Sequence, residues 1–225
     1  MPRYEGSIDR QQSIPTISRR MYNALTYGLV TVSFIVLWGT YQFAAGGGLD
    51  RFFSGNPLIP LIAFVVATIL GIILMSVGKS KQNVGLSAVG YVLFSLTFGF
   101  TVSLALQRYD VGTITYAFAI TACVSGIFLV AGVTFPQVFS RIGGVLIVGL
   151  IGVMVVEFVA ITFFHADQTI FDYIVIALFC GFLGYDSYRM SVDDPTVPNA
   201  IYHASDIYID IVNILIRVLD ILDRD

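Results

Sequence analysis

Asp206, Asp210, Asn213, Arg217, Asp220 and Arg224 lie four, three, four, three and four residues apart, which stacks them on one face of a helix. The other face of that stretch is Ile, Tyr, Val and Leu. A further acid, Asp186, precedes them in "GYDSYRM". Carboxylates brought together in apolar surroundings do not ionise independently: they share a proton and titrate in coupled steps. That is the chemistry of a pH sensor. A nearby cation would break such a pair by attracting one carboxylate, and Lys79, with Lys81 just beyond it, is the candidate.

The elements that must position these groups are membrane helices. Of the 225 residues, 56% are hydrophobic and 12% charged, well below the roughly 25% charged of soluble domains, and the mean hydropathy is +0.84. Breaks at Gly46–Gly48, Lys79–Lys81, Arg108–Asp110, Pro136–Arg141, His165–Asp167 and Arg189–Asn199 divide the chain into seven apolar segments. Their approximate spans are 22–45, 58–77, 84–106, 112–134, 142–164, 169–188 and 200–222. Several reach the ~18 apolar residues that mark a membrane-crossing helix. The expected fold is therefore an all-α membrane protein with a polar tail over 1–21, one membrane domain over 22–222 and a short end at 223–225.

The first twenty residues are polar and show no cleavable signal peptide. Cys123 and Cys180 lie inside apolar runs, without disulfide, zinc or redox spacing. No cofactor and no nucleic-acid partner is expected; membrane lipid, protons and a permeant cation are. Lys and Arg in the loops set the orientation. A cytoplasmic N-terminus places Arg3, Arg10, Arg19, Arg20, Lys79, Lys81, Arg141 and Arg189 inside, against Arg51, Arg108 and Arg224 outside. Seven spans then leave the C-terminus outside.

Taken alone, the last segment reads as an amphipathic helix lying on a membrane surface. Six preceding spans favour a crossing helix whose polar face points into the bundle, since each charge in the apolar layer costs roughly a few kcal/mol unless paired or hydrated. Asp186 falls about one turn inside the cytoplasmic boundary, and Asp210 reaches a comparable depth if the hydrophobic part of the last span begins near Ile207. Asp206 lies nearer the cytoplasmic mouth and Asn213 deeper, along the same path. Glu157 and Arg217 fall toward the outer half, where a structural salt bridge suits them. Intramembrane aspartyl proteases also pair a Tyr-Asp with a second Asp. They carry Gly-x-Gly-Asp and a downstream Pro-Ala-Leu, whereas the second acid here reads "YIDI" with no Pro-Ala-Leu after it. An enzyme is not expected.

"GYDSYRM" at 184–190 and "ASDIYIDIVNILIRVL" at 204–219, with "FSRIGG" at 139–144 and "FGFTVS" at 98–103, resemble the transmembrane Bax inhibitor motif family, especially its bacterial members. The resemblance implies six helices wrapped around a central seventh, a calcium leak governed by pH, and a sensor pair at Asp186 and Asp210. It also matches Lys79 to a basic residue that takes one carboxylate when the pair separates. Close bacterial relatives would have Arg there, and Lys is a point charge without the bidentate fork of Arg, so a weaker or differently poised latch is expected. Ca²⁺ favours six to eight oxygen ligands. Asp186 and Asp210, with Asp206, Asn213, tyrosine hydroxyls and water, would supply a weak, transient site, which suits an ion that must also leave. Two other readings stand beside the leak: a non-conducting regulator bound to a membrane protease or cell-death partner, and a proton-coupled cation exchanger. Short loops and tail fit a bacterial plasma (inner) membrane.

Overall fold

The computed structural model describes residues 15–48, 58–164 and 167–224. Residues 1–14 of the polar tail, with Arg3 and Arg10, and also Arg51, His165 and Asp225, lie outside the described residues. The described residues form seven helices and no strand: α1 Arg19–Ala45, α2 Leu58–Ser80, α3 Val84–Leu106, α4 Val111–Thr134, α5 Pro136–Phe164, α6 Thr169–Val192 and α7 Val197–Leu222. This is the all-α, seven-helix chain expected from the apolar segments. Helices α1 to α6 are long and apolar enough to cross a membrane. The 26 residues of α7 would reach about 39 Å at 1.5 Å per residue; charge rather than length sets this helix apart.

Local chemistry fixes the helix ends. Ser18, Asn83 and Thr196 cap α1, α3 and α7 by accepting the backbone N–H three residues on, from Met21, Leu86 and Asn199. Asp110 caps α4 by accepting from Gly112 and Thr113. Pro136 starts α5 immediately after Phe135, the C-cap of α4, using a position where a missing N–H costs nothing. Between α2 and α3 the backbone of Gln82 is left-handed, at φ 50°, a strained choice for a residue with a β-carbon. Its side-chain amide donates to the Lys79 carbonyl at 2.9 Å and to Asn199 Oδ1 at 3.2 Å, tying this turn to the start of α7.

Small residues set how closely α2 and α3 pack, as in other membrane helix pairs. A Cβ on Gly90 would come 2.7 Å from the Gly71 carbonyl oxygen and 2.7 Å from the Met75 nitrogen. Gly90→Ala is therefore expected to force the helices apart, lowering stability by about 1–3 kcal/mol. Gly126→Ala, which points into open space, is the matched control. Thermal unfolding of the purified proteins in detergent distinguishes them; equal midpoints would contradict the packing.

Helix α7 packs against α1, α2, α3, α4 and α6. Helix α5 lies on α6 and joins α7 through Arg217 and Glu157. Ile207, Tyr208, Ile214, Leu215 and Leu219 of α7 are fully buried. Tyr208 meets the rings of Phe34, Phe94 and Phe98 edge-on, with centroids 5.0, 6.1 and 5.6 Å away, a favourable arrangement for aromatic quadrupoles. Asp210 stands two residues on, roughly the other side of the helix. Seating Tyr208 against α1 and α3 thus turns Asp210 toward α6. Outward faces, such as Val145, Val148 and Phe158 of α5, are apolar and exposed, as a lipid-facing surface requires.

Candidate functional site

Asp186, on the last turns of α6, and Asp206 and Asp210, on the first half of α7, form the acidic core of the site. The side chains of Asp186 and Asp210 lie within hydrogen-bonding reach of each other, and Asp206 acts on Asp210 through its charge. Asp186 and Asp210 are buried, and Asp206 is partly so. Arg189 faces them: its Nη1 lies 3.3 Å from Asp186 Oδ1 and 3.7 Å from Asp206 Oδ2. One guanidinium therefore serves two carboxylates, while Asp210 Oδ2 has no hydrogen-bond donor among the described residues. A buried carboxylate without a full complement of donors carries a desolvation cost, so its neighbours decide how it is satisfied.

Lys79 is placed elsewhere. Its ammonium contacts Asp193 Oδ2 at 2.9 Å, on the loop between α6 and α7, and lies over the Tyr202 ring at 4.6 Å. His203, which is fully buried, brings Nε2 to the same carboxylate oxygen at 2.9 Å. The loop is also held through its backbone. Arg19 donates to the carbonyls of Met190 and Asp193, Ile17 N–H to Pro195, and the Asn199 amide to Asp194. The His203 hydrogen bond, followed by the Lys79 contact, keeps the Asp193 carboxyl well below the usual carboxylate range, although partial burial opposes this. A depressed acid stabilises the fold above its unfolded value near 3.9 and loses that contribution as pH falls through its lower folded value. The Asp193 contacts are thus retained throughout the near-neutral range.

Asn213 donates to the Ile209 carbonyl of its own helix at 2.8 Å. Among the described residues no group of three His, Cys, Asp or Glu side chains is arranged to hold a metal ion.

A second charged network lies toward the far end of α7. Arg217 spans Glu157 with Nη1–Oε1 at 2.7 Å and Nη2–Oε2 at 3.1 Å, and contacts Asp172 Oδ1 at 2.7 Å. Arg224 Nη2 reaches Asp172 Oδ2 at 2.7 Å. Tyr109 donates to Asp220 Oδ1 at 2.6 Å; burial and that carboxylate push the tyrosine hydroxyl up, so it remains a donor. The salt bridge expected of Glu157 and Arg217 is present. Asp172 and Asp193 belong to these charged networks and the sequence reading passes over them, while Arg189, which it reads as a cytoplasmic-side cation, contacts the acids. For Arg189 the available signal was its three-residue spacing from Asp186, which puts the two on one helix face.

The model of the family described as inhibitor of apoptosis-promoting Bax1 matches residues 11–225. The chain is 23% identical over 232 residues to the inner membrane protein YbhL of Escherichia coli K12, covering 98% of this chain and 96% of that protein. It is 28% identical over 146 residues to an uncharacterized protein of Borreliella burgdorferi, covering 60% of this chain and 62% of that one. No solved structure matches it significantly. Seven helices, six of them long and apolar enough to cross a membrane, and a family match over nearly the whole length lead to one assignment: the chain belongs to the Bax1-I, or Bax inhibitor-1-like, family of membrane proteins.

Proposed function

We propose that this protein is a pH-sensitive, calcium-permeable leak in a bacterial inner membrane, gated by proton sharing between Asp186 and Asp210. Six helices surround α7; the N-terminus is cytoplasmic and the C-terminus lies outside. Asp206 stands at the cytoplasmic mouth and Asn213 further along the path. The observation that carries this reading is the direct approach of the Asp186 and Asp210 side chains from two helices, with a single arginine against the cluster. Protonated, the pair joins α6 to α7 by a hydrogen bond. Ionised, the carboxylates repel, freeing oxygen ligands for a cation and separating the helices. Similarity to an inner membrane protein supports the location. The role is permeation, with membrane lipid as surroundings and Ca²⁺ and H⁺ as the interacting ions; no cofactor or nucleic acid takes part.

The test is calcium flux into liposomes containing the purified protein, over a pH series. A pH-dependent passive influx is expected. No flux at any pH would favour a non-conducting regulator bound to another membrane protein. Influx linked in fixed ratio to proton counterflow would make the protein an exchanger.

A further inference from the structure

We propose that Asp193 is a positioning residue that holds Lys79 away from Asp186, Asp206 and Asp210, with His203 fixing its carboxylate, and thereby sets the pH at which those acids respond. The proposal rests on the reading of the acids as the pH-sensing gate.

Asp193 Oδ2 receives two contacts at 2.9 Å, from the Lys79 ammonium on α2 and from His203 on α7. His203 has a fully buried side chain whose other ring nitrogen, Nδ1, has no hydrogen-bond partner among the described residues. Donation from Nε2–H to Asp193 therefore accounts for its one polar contact, fixing the tautomer and the carboxylate together. Asp193 lies directly after α6, three residues from the cap of α7, and its own carbonyl accepts from Arg19 at 2.9 Å. The acid is thus anchored on its main chain as well as its side chain.

Lysine is a compact charge on a flexible four-carbon stem. Besides Asp193 it touches the Tyr202 ring, a weaker partner, and its charge already acts on Asp186 and Asp206. Charged or titratable groups around this end also include Arg189 and Tyr185 on α6, Arg19 and Tyr22 on α1, and Asp206 on α7. Arg189 is engaged with Asp186 and Asp206, and Arg19 with the Met190 and Asp193 carbonyls. Lys79 is then the cation whose position depends on the Asp193 charge. Neutralising Asp193 leaves the acids as its strongest available partners. A cation within about 4–6 Å favours the ionised form of a carboxylate, moving its titration to lower pH by roughly 1–3 units.

Zero-length carbodiimide coupling of the full-length protein, read by mass spectrometry, reports where Lys79 sits without reference to transport. Wild type is expected to link Lys79 to Asp193. Asp193→Asn is expected to move the link to Asp186 or Asp206, and Asp194→Asn, an exposed neighbour, to leave it unchanged. Failure of the link to migrate in Asp193→Asn overturns the proposal. In liposomes, Asp193→Asn should lower the pH midpoint of calcium influx by about one unit, and adding Lys79→Met should abolish that displacement. An unmoved midpoint, or one that moves equally without Lys79, also overturns it. Absence of pH-dependent influx in wild type would instead sink the leak reading, with the coupling experiment still deciding whether Asp193 holds Lys79.

Discussion

Asp210→Asn is expected to flatten the pH dependence of calcium influx. On the proposed mechanism one shared proton governs the wild-type flux, which should change by up to about tenfold per pH unit; the variant should change by less than about twofold over the same series. Asparagine keeps the shape of the side chain and its capacity to hydrogen-bond Asp186, but it neither releases nor binds a proton in this range. Asp186 is then left with Arg189, 3.3 Å away, whose Nη1 it shares with Asp206 at 3.7 Å. The effect should be large because the proton that Asp210 shares across α6 and α7 is lost with its carboxyl, and the remaining acid of α7 in the cluster, Asp206, is already paired with Arg189 at 3.7 Å. Asp206→Asn, by comparison, should displace the profile and preserve its shape. A full wild-type profile in Asp210→Asn liposomes would remove Asp210 from the gate and with it the proposed mechanism.

The helices were legible because apolar runs long enough to cross a membrane are a strong signal, interrupted here by conspicuous groups such as Lys79–Lys81 and Arg108–Asp110. The approach of Asp186 to Asp210 was legible for a related reason: two antiparallel segments joined by a short loop place residues at similar distances from that loop at similar depth. Partner choice among charges was less so. Lys79 sits at the right end of the bundle for the pair, but the loop fold, set by Arg19, Ile17 and Asn199 through backbone hydrogen bonds, presents Asp193 to it. Such a contact between residues 114 positions apart leaves no periodic trace. Arg189 was read as marking the end of a span, whereas its long side chain folds back along α6 to the acids. Asp172 escaped notice in an apolar run, although it stands in the first turn of α6, where a carboxylate is favoured by the helix dipole.

Arg217→Met is expected to produce the largest loss of stability. The arginine holds Glu157 through both carboxylate oxygens and reaches Asp172, whose side chain is 0% exposed. Methionine is similar in length and apolar, so it fills much of the space, but it leaves Glu157 without its two-pronged partner and Asp172 with Arg224 alone. Removing one member of a buried ionic network costs about 3–5 kcal/mol, because the remaining charge is buried and uncompensated. The diagnostic variant is therefore the triple exchange Arg217→Met, Glu157→Gln and Asp172→Asn, which removes the orphaned charges with the cation. If uncompensated charge is the cause, the triple variant should regain most of the unfolding midpoint lost by Arg217→Met in detergent, while Lys in place of Arg217 should regain less, since a single ammonium lacks the fork that spans Glu157 and reaches Asp172. A triple variant as unstable as Arg217→Met would show instead that Arg217 stabilises α7 by packing its aliphatic stem, and a variant as stable as wild type would show that the network contributes no net stability at this end of the bundle.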